Sequence, residues 1–172
     1  MISWKNKVSL DQMRSMDIYQ SVDQPKVVYH MTPRKNLEKI LQDGFIDTMT
    51  DYVCFFFPEL KYIPLYIELT GADKGRQYHD FDGKIHTAPP LIHEETVVLK
   101  LTPRYIEPMH WYKEVVKATD DQILADDKEK ARARIQQFND CRVCHYGKFK
   151  FKRDVEVIEL VDLDKMAFGD MD

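Results

Sequence analysis

The stretch VVYHMTPRKNLEKILQDGF, residues 27–45, decides how the chain reads. Val27, Val28 and Tyr29 are strand formers in a row. Thr32 can cap a helix through its hydroxyl. Pro33 suits a first helical position, where its missing N–H has no partner to lose. Leu37, Ile40 and Leu41 recur at helical spacing, and Gly44 can take the left-handed conformation that ends a helix. A strand handing over to a helix is therefore expected, with His30 at the join. Such a join exposes a side chain at the strand end and aims free backbone N–H groups at an anion. A histidine there can hold a sugar hydroxyl, or it can simply bond a neighbouring backbone group.

Outward from this unit, Leu10, Met13, Met16 and Ile18 suggest a short helix within residues 8–20. Residues 52–57 read as an aromatic strand. A helix is expected near residues 60–69, interrupted by Pro64. Residues 70–94 carry Gly71, Gly75, Gly83 and the pair Pro89–Pro90, and read as one long loop. TVVLKL, residues 96–101, is a strand. Residues 120–138 read as a helix, with Ile123, Leu124, Ala131, Ile135 and Phe138 expected on its buried side. Strands are expected at 143–152 and 155–161, and the tail 167–172 is expected to be loose. Strands with few helices and no regular βαβ alternation indicate α+β. A length of 172 residues fits one domain. It divides into a helical extension at 1–24, a core at 25–166 and the tail.

A domain this long buries roughly 70% of its unfolded surface, so no disulfide or metal is required for stability. The net charge of −4 excludes a generally nucleic-acid-coating surface but leaves room for a local basic groove. Three cysteines, an odd number, do not suggest a secreted disulfide scaffold. No apolar run of signal-peptide or membrane length is visible, so the expectation is a cytoplasmic protein with no membrane partner, or one in a host's cytoplasm if phage- or toxin-encoded.

Residues 27–45 resemble the opening of ADP-ribosyltransferases, especially the DarT-type DNA ADP-ribosyltransferases, which begin with a strand, a His-x-Thr element, Asn-Leu, Ile-Leu and a glycine. DYVCFFFPELKYIPLY, residues 51–66, resembles that family's Val-x-Phe-Tyr-Phe strand and the helix start after it. Val155-Glu156-Val157-Ile158 resembles its Ala-Glu-Val-Leu strand. The three elements fall in the family's order. The resemblance implies a split β-sheet core with flanking helices and NAD as co-substrate. It also implies transfer of ADP-ribose to a macromolecule: a base of single-stranded DNA or RNA, or a protein. It would make Glu156 the catalytic carboxylate, and place His30, Thr32, Tyr29, Asn36 and Phe56 against NAD. The reaction passes through an oxocarbenium-like sugar, which a glutamate can stabilise while it also deprotonates the acceptor.

The family's catalytic arginine has no counterpart after the aromatic strand. Lys61 takes the place, without the planar fork of a guanidinium, unless Arg34 or Arg76 substitutes from elsewhere. Glu94, Glu95, Glu107 and Glu159 rival Glu156. In a strand, Glu156 shares a face with Ile158 while Glu159 lies on the other. Two other functions stay open: a binding or inhibitor protein that keeps the fold without catalysis, and an NAD-dependent RNA 2′-phosphotransferase.

GKFKFKRD, residues 147–154, would put Lys148, Lys150 and Lys152 on one face, followed by Arg153, with Phe149 and Phe151 on the other. That pattern suits a single-stranded nucleic-acid backbone, or an edge strand guarded by lysines. Cys141-Arg-Val-Cys144-His145 matches a haem-attachment pattern. Haem attachment needs export and zinc needs a second ligand pair, so two partly buried thiols and no metal are expected. His79, His86 and His93 share a loop at no metal-binding spacing.

Overall fold

The computed structural model describes residues 8–48, 52–79, 83–116 and 128–166. The tail at 167–172, the first residues of the expected extension and the start of the expected helix at 120–138 lie outside them.

The architecture is α+β, built on antiparallel sheets. β7 (Thr96–Leu101) is the centre of a three-stranded sheet, between β2 (Val28–Pro33) and β11 (Glu156–Glu159). All its residues but Lys100 are buried, which explains its continuous apolar run, since both faces are covered. The second sheet orders β1 (Tyr19–Ser21), β8 (Trp111–Glu114), β9 (Val143–Tyr146) and β4 (Val53–Phe56). The two sheets meet along a seam where Tyr29 and Phe57 exchange both backbone hydrogen bonds, at 2.9 and 2.8 Å.

Each face of this assembly has its own core. On one face Val28, Val97, Leu99 and Leu101 pack with Phe56, Trp111, Phe149 and Phe151, beneath Leu37 and Ile40 of α2 (Leu37–Asp43). On the other, Val98 and Phe57 meet α3 (Tyr62–Thr70), α4 (Lys128–Cys141) and α5 (Leu160–Asp164) through Ile63, Tyr66, Cys141, Leu160 and Leu163. A third cluster holds α1 (Leu10–Arg14) on the second sheet through Met13, Tyr19, Tyr52 and Tyr112. The helical extension is thus shorter than expected. A capping box between Ser9 and Gln12 starts α1, and the chain then contributes β1 to the sheet.

Pairing with β7 overrides local helix signals in the opening segment. β2 runs on through Thr32 and Pro33, opposite Val97 and Thr96, so Thr32 stays extended and Pro33 precedes the first helical turn instead of opening it. A 3-10 turn, Arg34–Asn36, intervenes before α2. Pro33 is tolerated because it ends its strand. Gly44 closes α2 with φ of 74°, as expected. A Cβ there would meet no atom within 4 Å, so the cost of substitution is conformational alone. Gly44→Ala should lower stability by about 1 kcal/mol, and Gly44→Asn by less, in denaturant melts. Pro64 does not interrupt α3, because it lies in the first turn, whose N–H groups need no helical acceptor. The expected loop at 70–94 contains a hairpin of β5 (Arg76–His79) and β6 (Ile85–Ala88). The expected strand at 143–152 breaks at Gly147, φ 72°, and resumes as β10 (Phe149–Lys150), paired with β3 (Phe45–Ile46).

Candidate active site

Register sorts the candidate residues by face. Directly paired residues of an antiparallel sheet project to the same side, and successive residues alternate. His30, Leu99 and Val157 form one row, and Thr32, Val97 and Glu159 another, both on the α2 face. Tyr29, Lys100 and Glu156 form a row on the opposite face. Glu156 is therefore two strands from β2 and turned away from His30. Its side chain is 64% exposed, and its nearest cation is Lys100 Nζ at 3.9 Å. β11 thus puts its other glutamate, Glu159, on the histidine's side.

Glu159 meets Arg34 there. β2 and β11 are about 9.6 Å apart, two strand spacings, and a side chain from the turn after β2 spans that gap. Arg34 Nη1 lies 2.6 Å from Glu159 Oε1, and Nη2 donates to the Glu94 carbonyl at 3.2 Å. The hydrogen bond to Glu159 raises the guanidinium pKa above its ordinary value. Glu159 Oε2 is shielded from solvent and has no hydrogen-bond partner among the described residues. A carboxylate oxygen left so is costly unless something else binds it. Asn36 Nδ2 reaches back to Thr32 Oγ1 at 3.4 Å, so the start of α2 closes over the same edge.

His30 projects into this face beside Phe56, with ring centroids 5.8 Å apart. Burial lowers its imidazole pKa to about 4, against a smaller opposing effect from a hydrogen bond to the Phe55 backbone. The ring is neutral at pH 7 and offers one donor and one acceptor. Because the folded pKa lies below the unfolded 6.5, the native state binds fewer protons in between. Stability should hold above pH 6.5 and fall as pH drops toward 4. His30→Gln should flatten that fall in chemical melts taken across the window.

The remaining candidates disperse. Tyr29 packs toward α3. Lys61 is the N-cap residue of α3, with its ammonium 5.4 Å from the Tyr62 ring centre. Arg76 opens the β5–β6 hairpin. Lys148, Lys150, Lys152 and Arg153 are exposed while Phe149 and Phe151 are buried, as the alternation implies. They sit at the far end of α2 from Arg34, since Lys150 pairs with Phe45. The Cys-x-x-Cys-His residues part company. Cys141 lies under α3, its thiol pushed up to about 11 by burial, while Cys144 packs in the α1 cluster. His145 is fully buried, with Nδ1 3.1 Å from the Gly147 carbonyl and Nε2 3.0 Å from Glu107 Oε1.

No protein-family model, curated protein or solved structure matches this chain. What the site can do follows from its own chemistry: a charged fork, a half-satisfied carboxylate, a neutral histidine and a hydroxyl–amide pair on one face of the sheet. The Glu94 carbonyl was not legible as a partner of Arg34. His93 Nδ1 lies 2.5 Å from Asp164 Oδ2, on the wall of a pocket of about 300 Å³ bounded by Pro64, Ile67, Glu68 and Asp73. The face alternation at Glu156–Glu159 and the position of Arg34 just past Thr32 were the sequence signals for the pair. Among the described residues no helix is long and apolar enough to cross a membrane.

Proposed function

We propose that the chain binds NAD at the Arg34–Glu159 edge and transfers ADP-ribose to a macromolecular acceptor, as an ADP-ribosyltransferase with a split β-sheet core. The observation that carries the reading is the Arg34–Glu159 pair on the face shared by His30 and Thr32. Two antiparallel sheets meeting at a seam support the split core. The unpartnered Glu159 Oε2 supports a ligand that donates hydrogen bonds there.

When bound, NAD supplies a cleavable nicotinamide–ribose bond whose electron pair leaves with the nicotinamide ring. Glu159 then holds a ribose hydroxyl, faces the positive charge that develops at the sugar carbon and takes the proton of the attacking acceptor. Arg34 exchanges its carboxylate partner for pyrophosphate oxygens, which its planar fork fits. Neutral His30 and Thr32 orient the ribose without adding charge near the developing cation. This gives Arg34 the role that Lys61 lacked and moves the carboxylate role from Glu156 to Glu159.

The test is incubation with nicotinamide-labelled NAD and, separately, adenine-labelled NAD, with DNA, RNA or protein as acceptor. Label transfer with nicotinamide release is the expected result. Absence of NAD binding at millimolar ligand would overturn the reading. One feature favours a binding protein without catalysis: Arg34 and Glu159 already neutralise each other at 2.6 Å. NAD binding with no nicotinamide release would select that second reading.

A further inference from the structure

The far end of α2 carries a surface that the NAD reading does not use. β10 runs beside the segment 102–104: Arg104 N donates to the Lys150 carbonyl at 3.0 Å, and Lys152 N to the Thr102 carbonyl at 2.9 Å. Lys148, Lys150, Lys152, Arg153 and Arg104 are all exposed there. None of the five forms an ion pair among the described residues. The lysines alternate along the chain, which sets them about 6.7 Å apart on one side. Two carboxylates lie close in sequence. Glu107 is turned inward to His145 and His110, and Asp154 follows Arg153. In a chain of net charge −4, this is a segregated basic patch.

The loop beside it is apolar at its tip. Ile106 is 86% exposed, Met109 53% and Tyr105 49%. The exposure is built into the loop. Gln24 clamps it at two points, donating from Nε2 to the Tyr105 carbonyl at 3.0 Å and accepting from Glu107 N at 2.8 Å. The Tyr112 hydroxyl donates to the Met109 carbonyl, and Met109 is held at φ 66°, a conformation rare for a side chain of its size. Tyr105 lies under Arg104 and Lys150, at 5.4 and 5.8 Å from the ring centre. Adjacent exposed large apolar side chains, fixed beside unpaired cations, mark an interaction surface.

We propose that β10 and the loop at residues 104–109 dock on an anionic lipid bilayer. The cations face the headgroups, Tyr105 sits at the interface, and Ile106 and Met109 insert among the acyl chains. Charge complementarity calls for an anionic partner. The aliphatic tip selects lipid over nucleic acid, because isoleucine and methionine offer no stacking face for a base. This surface stands independently of the NAD site and needs no spanning helix.

The test is co-sedimentation of the full chain with phosphatidylcholine vesicles, with and without one-third phosphatidylserine. Binding is expected only to the anionic vesicles and should vanish in half-molar salt. Ile106→Asp, and separately the double change Lys150→Glu with Lys152→Glu, should each weaken binding by about tenfold or more. Both should melt like the parent chain, since these side chains are exposed. A chain that ignores anionic vesicles overturns the proposal, as does binding that Ile106→Asp leaves unchanged. A single-stranded oligonucleotide, followed by anisotropy, forms the second arm. Oligonucleotide binding that depends on Lys150 and Lys152 but not on Ile106, without vesicle binding, assigns the patch to nucleic acid instead.

Discussion

Glu159→Gln is expected to reduce ADP-ribosyl transfer by about a hundredfold or more, the range for losing a group that handles a proton and faces developing charge. Glu156→Gln should leave transfer within about threefold, because surface substitutions away from a site do little. The contrast follows from register alone. Both glutamates belong to β11, three residues apart, but only Glu159 shares a row with Thr32. Arg34→Ala should weaken NAD binding by about ten- to a hundredfold, the equivalent of one charged hydrogen-bonding partner. Neither change should unfold the chain. The pair is half-exposed, at 46% and 37%, and exposed ion pairs contribute little to stability. Isothermal titration with NAD, with melting curves on the same samples, separates loss of binding from loss of fold. Equal losses for Glu156→Gln and Glu159→Gln would contradict the assignment.

The largest stability effect is expected at Phe149. Its ring is fully buried, with ring centroids of Phe56 at 4.8 Å, His145 at 5.4 Å and Trp111 at 5.5 Å. It is supplied by a two-residue strand, yet it fills the core between the second sheet and the C-terminal end of α2. Phe149→Ala should cost about 3–5 kcal/mol, through lost burial and the cavity left behind. For a chain of this length that lowers Tm by about 10 °C, readable by circular dichroism. Lys150→Ala, the next residue and exposed, should change stability by less than about 0.5 kcal/mol. The pair therefore tests whether the Phe-in, Lys-out alternation holds in solution.

Patterns carried by neighbouring residues were legible in the chain. The six apolar-rich residues of β7, the Gly44 helix end and the alternation around Phe149 all appear as expected, because each depends on local conformation or on a period of two. Features set by distant partners were not. Thr32 and Pro33 have the chemistry of a helix start, but pairing with Val97 and Thr96 keeps them extended. The β5–β6 hairpin was hidden by glycines and prolines that read as loop. The choice between Glu156 and Glu159 depends on which face of β11 shares a side with His30, and that follows from pairing through β7. Arg34 was visible as a substitute arginine, but only the turn after β2 shows that it reaches Glu159.

Amide-resolved NMR during an NAD titration locates the NAD site residue by residue. Shifts are expected to cluster at residues 30–36 and 157–160, to saturate together and to be lost in Arg34→Ala. Shifts centred on Lys100 and Glu156, or none at millimolar NAD, would contradict the proposed site.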